Sequence, residues 1–141
     1  MEKSRVVIDA SFLLKIFLPE NKSEKADKIW KDWINKSVEV VAPTLVIFEV
    51  SSVLRNKVYR KVLEKDDAVE IVEQIRRLDL TLLYTDDILD IAWEIGSQLK
   101  MPGLYDCFYI ALAKFLNISL WTADKKLYGL SKKRYTFVNL L

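Results

Sequence analysis

The chain has 141 residues, of which 51% are hydrophobic, and this favours one folded domain over residues 1–141. Its 22 Lys and Arg nearly balance its 20 Asp and Glu, so a net charge of +2 does not by itself nominate a nucleic-acid partner. The single cysteine excludes an intrachain disulfide and favours a reducing compartment. No apolar run approaches the roughly 18 residues of a membrane span and no signal-peptide segment opens the chain, so we expect a cytoplasmic protein with no membrane partner.

The absence of histidine removes several reaction mechanisms. The chain cannot build a Ser-His-Asp or Cys-His nucleophile system, an imidazole general base or a His-ligated zinc site. Catalysis would therefore depend on carboxylates, Lys, Tyr or a hard metal ion.

In chain order, short apolar runs alternate with amphipathic segments. The runs predict strands at residues 6–9, 38–41, 80–84, 118–121 and 135–140. The segments between them predict helices at 11–18, 23–36, 43–57, 64–78, 86–100 and 105–116, with a helical turn at 124–128. Pro19 ends the first helix and Pro43 opens the third. Because strands that are apolar throughout need cover on both faces, we expect a three-layer α/β/α sandwich with a mostly parallel central sheet.

Acidic side chains recur where the predicted strands end. Asp9 ends the first strand, and Thr122 and Asp124 follow the fourth strand by one and three residues. Glu49 lies in the second turn of the helix after the second strand, and Asp106 lies at the start of another apolar helix. The carboxyl ends of parallel strands share one edge of the sheet, so these acids can converge there.

Each acid also has a purely structural interpretation. Asp9 and Asp124 could be helix N-caps, and Asp106 could stabilise the N-terminus of its helix electrostatically. Glu49 is harder to explain in this way, because its neighbours are apolar and the nearest basic residue along its own helix is Arg55. Burying a carboxylate costs several kcal/mol unless a partner compensates it.

Several carboxylates in one cleft raise one another's pKa, and a divalent cation relieves that repulsion. Oxygen ligands without histidine or thiolate favour Mg²⁺ or Mn²⁺ over zinc. Such ions activate water and stabilise leaving oxygens, so the pattern points to phosphodiester hydrolysis.

Four segments, VVIDASFLLKIFLPE, APTLVIFEVSSVL, YDCFYIALAKFL and LWTADKKL, resemble the PIN-domain nucleases in order and spacing, and most closely the VapC-type toxins of type II toxin–antitoxin systems. The resemblance extends from about Arg5 to Leu140. It implies an endoribonuclease that uses Mg²⁺ or Mn²⁺. By position it assigns the catalytic and metal-binding roles to Asp9, Glu49, Asp106 and Asp124. Thr122 and Ser11 match supporting hydroxyl residues, although Ser11 could equally be a helix N-cap.

The resemblance also implies partners: an RNA substrate, a cognate antitoxin protein and a second copy of the chain in a homodimer. Two basic clusters could contact RNA phosphates, or could simply be solvated. Their members are Arg55, Lys57, Arg60, Lys61, Lys125, Lys126, Lys132, Lys133 and Arg134. Of these, we expect Arg55, Lys57, Lys125 and Lys126 to contact the RNA. Trp30 and Trp33 could serve partner contacts, but the core is the preferred place for them.

Other functions compete with the nuclease. Haloacid-dehalogenase phosphatases need an aspartate two residues after the nucleophile, where this chain has Ser11. A response-regulator receiver predicts a second acid paired with Asp9 and no buried glutamate in a helix. The remaining alternative is a catalytically silent RNA- or partner-binding module on the same fold.

Overall fold

Five strands in the computed structural model, which describes residues 3–141, form one sheet in which every described pairing is parallel. The strands are β1 (Arg5–Ile8), β2 (Glu39–Pro43), β3 (Leu80–Leu83), β4 (Ser119–Thr122) and β5 (Val138–Leu140). Their spatial order is β3-β2-β1-β4-β5. The predicted parallel sheet is confirmed, and β1, whose Val6, Val7 and Ile8 are buried, lies at its centre.

Helices connect the strands and cover the sheet. They are α1 (Ala10–Phe17), α2 (Ser23–Asn35), α3 (Leu45–Tyr59), α4 (Lys65–Arg76), α5 (Asp87–Leu99), α6 (Tyr105–Leu116) and α7 (Lys125–Ser131). The helices α1 to α4 pack as one group, whereas α5 packs on α6, which contacts β1, β2 and β4. Right-handed crossovers from β1 to β2 to β3 and then back to β4 place these two groups on opposite faces. The three-layer α/β/α sandwich is therefore confirmed.

Aromatic side chains complete the core beside β1. Trp30 is buried, and Trp33 stacks on the buried Phe12 with ring centroids 5.4 Å apart. Trp33 also meets the edge of Trp121 at 6.1 Å. The structure thus supports the core interpretation of both helical tryptophans.

The prediction that Pro43 opens a helix is wrong, because Pro43 is the last residue of β2 and α3 begins at Leu45. The Thr44 amide donates to the carbonyl of Leu83 in β3. Because the amides of consecutive residues in a strand point to opposite sides, the nitrogen of Pro43 faces β1. The β1–β2 register ends at the Val7–Val41 pair, so the amide proton that proline lacks is not needed there.

Most other predicted boundaries shift by one to three residues, and two of these shifts concern the end of β4 and the start of β5. Thr122 is the last residue of β4 rather than the residue after it, and it pairs with Leu140 of β5. The final strand begins at Val138 rather than at Tyr135, whose amide instead closes a turn with the Ser131 carbonyl. Within residues 3–141 no helix has both the length and the apolar character needed to cross a bilayer.

Candidate active site

The candidate site lies where the strand order reverses. From β1 the chain proceeds to β2 and β3 on one side, then returns to β4 on the other. Asp9 directly follows β1, and Thr122 ends the neighbouring β4. In open α/β sheets this crevice beyond the carboxyl ends of the strands is where ligands bind.

Three hydrogen bonds hold the carboxylate of Asp9, which is only 5% exposed. Its Oδ1 accepts from the amide of Phe12 at 2.9 Å and from the hydroxyl of Ser11 at 2.7 Å. Its Oδ2 accepts from the hydroxyl of Thr122 at 2.5 Å. Asp9 is therefore the N-cap of α1, and the alternative that Ser11 caps this helix is wrong.

Ser11 and Thr122 also tie Asp9 to the loop after β4. The Ser11 hydroxyl oxygen accepts from the amide of Ala123 at 2.9 Å, and that of Thr122 accepts from the amide of Asp124 at 3.0 Å. The two hydroxyl oxygens lie 3.2 Å apart. Each hydroxyl has one proton and directs it to Asp9, so both residues fix the orientation of this carboxylate.

Burial raises the pKa of Asp9 to about 6. The hydrogen bonds from Thr122, Ser11 and Phe12 oppose this rise because they stabilise the carboxylate, whereas the negative charge of Asp106 adds to it. Ionisation of Asp9 is therefore less favourable in the folded protein than in the unfolded chain.

Glu49 extends from α3 towards the same acids. Burial raises the pKa of its carboxyl, and the charges of Asp106 and Asp9 raise it further. Its Oε1 is buried and has no hydrogen-bond partner among residues 3–141. Glu49 also lines a cavity of about 400 Å³ beside the exposed side chains of Phe48 and Tyr105.

Asp106 and Asp124 complete the group. Burial raises the pKa of Asp106, and the charge of Asp124 adds to the rise while Lys126 opposes it. Asp124 is the N-cap of α7, where its Oδ1 accepts from the amides of Lys126 at 2.9 Å and Leu127 at 3.1 Å. Asp124 is thus confirmed as a helix N-cap. It also lies close enough to Asp106 to raise the pKa of that residue, and its metal-binding role stays a prediction.

The structure brings the four predicted acids within electrostatic range of one another. Asp106 interacts with Asp9, Glu49 and Asp124, and Asp9 interacts with Glu49. In their present rotamers, no three Asp, Glu or Cys side chains of residues 3–141 are grouped closely enough to hold a metal ion. The four acids offer only carboxylate oxygens as donors, which fits a hard divalent cation. The metal-binding role of these residues stays a prediction.

The predicted RNA-binding residues are placed differently from one another. Lys126 is close enough to Asp106 to affect its pKa, and Lys125 is exposed beside it. Arg55 lies over the ring of Tyr59, 6.0 Å from its centroid, and lines a groove between α3 and α4. Lys57 forms an ion pair with Glu20 at 3.4 Å, and Lys15 forms another with the same carboxylate at 2.9 Å. Only the α7 pair therefore borders the acids.

Tyr109 was not predicted from the sequence. It lies on α6 one turn after Asp106, is 1% exposed, and has a hydroxyl without a hydrogen-bond partner in the described part of the chain. Burial raises the pKa of Tyr109 strongly, and the negative charge of Glu49 raises it further. The sequence does contain one indication of a role for Tyr109, because this tyrosine lies within the apolar run of α6 and a buried tyrosine hydroxyl usually needs a polar partner.

Comparison with known proteins agrees with this geometry. A family model described as the PIN domain matches residues 6–133. The chain is 30% identical over 122 residues to "Ribonuclease VapC9" of Mycobacterium tuberculosis, covering 86% of this chain and 87% of that protein. It is 26% identical over 125 residues to "Ribonuclease VapC3" of Pyrobaculum aerophilum, covering 87% and 92%.

A solved structure shows the same fold at low sequence identity. A toxin–antitoxin complex from Klebsiella pneumoniae superposes with a TM-score of 0.67 and 14% identity, covering 95% of each chain. The family match spans β1 through α7 and so contains all four acids. The chain belongs to the PIN-domain family and is a relative of the VapC ribonucleases.

Proposed function

We propose that this chain is a metal-dependent endoribonuclease and the toxin of a toxin–antitoxin pair. The observation that carries the proposal is the convergence of Asp9, Glu49 and Asp106 at one edge of the sheet, where burial and the charge of neighbouring carboxylates raise the pKa of each. Holding partly buried carboxylates this close together costs free energy that a purely structural role does not explain and that a divalent cation would offset. The VapC relatives are named ribonucleases, which supports the same activity.

The acids and the two hydroxyl residues have different tasks in this mechanism. Asp9, Glu49, Asp106 and Asp124 would hold Mg²⁺ or Mn²⁺, which supplies Lewis acidity and a reactive water at the scissile phosphate when bound. Ser11 and Thr122 fix the orientation of Asp9 through their hydrogen bonds, so its carboxylate need not reorganise during the reaction.

The RNA backbone would approach over α7. Lys125 and Lys126 present ammonium groups there, and Lys126 already interacts with Asp106. A cation beside the acids offsets their repulsion of a phosphate. Arg55 and Lys57 lie on α3, where Lys57 is paired with Glu20, so we assign them the weaker RNA contacts.

The decisive experiment is cleavage of a random single-stranded RNA pool by the purified chain in Mg²⁺, in Mn²⁺ and in EDTA. We expect metal-dependent cleavage that Asp9→Asn abolishes. Asp66→Asn, which removes an exposed carboxylate on α4, is the matched control and should cleave like the wild type. Folded, metal-saturated wild type that binds RNA without cleaving it would instead favour the catalytically silent binding module.

The antitoxin would be an acidic amphipathic helix in the groove between α3 and α4. This groove has a volume of about 580 Å³ and an apolar floor that includes Leu54, Val58 and Val72. Its rim carries Arg55, Lys65 and Arg76 against one acid, Glu73, which pairs with Arg76 at 2.5 Å and leaves a net positive rim. Helix-in-groove recognition uses such an apolar floor, and the cationic rim selects an acidic partner.

Co-expression tests this partner assignment. The chain alone should arrest growth of a heterologous host, and a cognate antitoxin selected from a genomic library by its ability to rescue should restore growth. Arg55→Glu combined with Arg76→Glu should prevent that rescue. Rescue that persists with the double variant would exclude the groove as the antitoxin site.

A homodimer would bury an apolar patch beside the acids. Phe48, Val53 and Tyr105 line the cavity at Glu49 and are exposed by 68%, 36% and 67%. Patches of this kind mark protein interfaces. Light scattering should show a dimer for the wild type and a monomer for Phe48→Ser, and a wild-type monomer would overturn this assignment. The cytoplasmic location also stays a prediction, supported by the single buried cysteine.

A further inference from the structure

We propose that Tyr109 is a positioning residue for Glu49: its hydroxyl donates to Oε1 and leaves Oε2 available to the divalent cation. This role deepens the proposed function and rests on the acids being a metal site. It assigns a task to a residue that has no other evident reason to be a tyrosine.

The first argument is the match between two unpaired atoms. The hydroxyl of Tyr109 and the Oε1 of Glu49 are the two buried side-chain polar atoms without a hydrogen-bond partner in the described residues 3–141. One is a donor and the other an acceptor. The two side chains already interact, since the hydroxyl of Tyr109 lowers the pKa of Glu49 against the effect of burial. A hydrogen bond between them would satisfy both atoms.

The second argument is the placement of the two residues. Glu49 is the fifth residue of α3 and Tyr109 is the fifth residue of α6, so each lies in the second turn of its helix. Both helices lead away from the carboxyl edge of the sheet, on opposite faces. Tyr109 lies three residues after Asp106 and therefore shares its face of α6. The bond would join the two helical layers across the acid site.

The third argument is chemical. A phenol adds a donor without adding charge, so it does not compete with a cation for the carboxylates as a lysine or arginine would. Hydrogen bonds to an ionised acceptor are about twice as strong as those between neutral groups. The rigid ring, 1% exposed in the core, fixes the donor more firmly than a flexible side chain could.

The test is the affinity for Mn²⁺, measured by titration calorimetry on the full chain. We expect Tyr109→Phe, which keeps the ring, to weaken Mn²⁺ binding by about tenfold, the equivalent of one hydrogen bond to a charged group. In the Glu49→Gln background, the same change should alter affinity less than about twofold. Tyr135→Phe is the matched control, because Tyr135 is buried and its hydroxyl bonds Gln98, away from the four acids.

The outcomes separate this role from the function on which it depends. Unchanged Mn²⁺ affinity in Tyr109→Phe would overturn the positioning role and leave the metal-dependent nuclease in place. Equal weakening with and without Glu49 would also overturn it, because the effect would then be structural. Wild type that binds neither Mn²⁺ nor Mg²⁺ and cleaves no RNA would overturn the proposed function, and this role with it.

Discussion

The buried carboxylate of Asp9 should make the protein less stable at neutral pH than at mildly acidic pH. Asp9 has a folded-state pKa of about 6, above its usual value of 3.8, because burial disfavours the charged form. Between these pH values the folded state binds a proton that the unfolded state has released. The stabilisation from this proton is complete below pH 4 and is lost as the pH rises through 6. Asp9→Asn removes the titration while retaining an oxygen acceptor for the Phe12 amide.

The size of the effect follows from the shift. A rise from 3.8 to about 6 is about 2 units, or about 3 kcal/mol at 1.36 kcal/mol per unit. Since Asp9 is only 5% exposed, solvent screening reduces this little. The hydrogen bonds from Ser11, Thr122 and Phe12 are already included, because they contribute to the net pKa. At pH 4 the unfolded residue is still partly protonated, so we expect the stability of Asp9→Asn relative to the wild type to rise by somewhat less than this total, about 2 kcal/mol, from pH 4 to pH 7.

Urea denaturation in EDTA, followed by circular dichroism at several pH values, measures this difference. Glu49 and Asp106 have pKa values raised in the same direction, so both proteins should lose stability as the pH rises, and their difference isolates Asp9. Asp66→Asn controls for the change in total charge. A stability difference that is constant with pH, or that narrows towards pH 7, would refute the reasoning.

Two further substitutions and one labelling experiment test other features of the fold. Thr122→Val removes a fully buried donor to Asp9 and should reduce the free energy of unfolding by about 2 kcal/mol at pH 7. The loss should be smaller at pH 4, where Asp9 is neutral, and an equal loss at both pH values would contradict this. Cys107 is fully buried and burial raises its pKa to about 11, so a disulfide reagent should label it in urea but not in buffer over the same period. Leu13→Ala empties a fully buried site on α1 and should cost about 2–5 kcal/mol in urea denaturation, with a smaller loss indicating that the core collapses around it.

Local pattern was sufficient to predict the fold and the shared edge of the acids. The apolar run of β1 fixes a strand buried on both faces, and alternation with helices fixes a parallel sheet. Once parallel strands are accepted, Asp9 and Asp124 must lie at the same edge. Glu49 and Asp106 follow, because each lies near the start of a helix that leads away from that edge.

What the sequence could not show depends on contacts between distant segments. The bond from Thr122 to Asp9 spans 113 residues, and the bond from Ala123 to Ser11 spans 112. The spacing of residues along the chain does not predict which distant groups a hydroxyl will bond. The sequence does not distinguish Tyr109 from a core residue, because an apolar helix tolerates a tyrosine. Only the fold reveals that its hydroxyl is buried near Glu49.

The three hydrogen bonds on Asp9 also limit how this residue can bind a cation. A carboxylate oxygen has two lone pairs, and those of Oδ1 are both occupied, by Ser11 and by Phe12. Oδ2 uses one for Thr122, so a single lone pair of Asp9 is free. In the proposed metal site, Asp9 would therefore coordinate the ion through Oδ2 alone. The two hydroxyls that orient the carboxylate would therefore also set its coordination mode under the proposed function, to the single-oxygen contact that Mg²⁺ accepts.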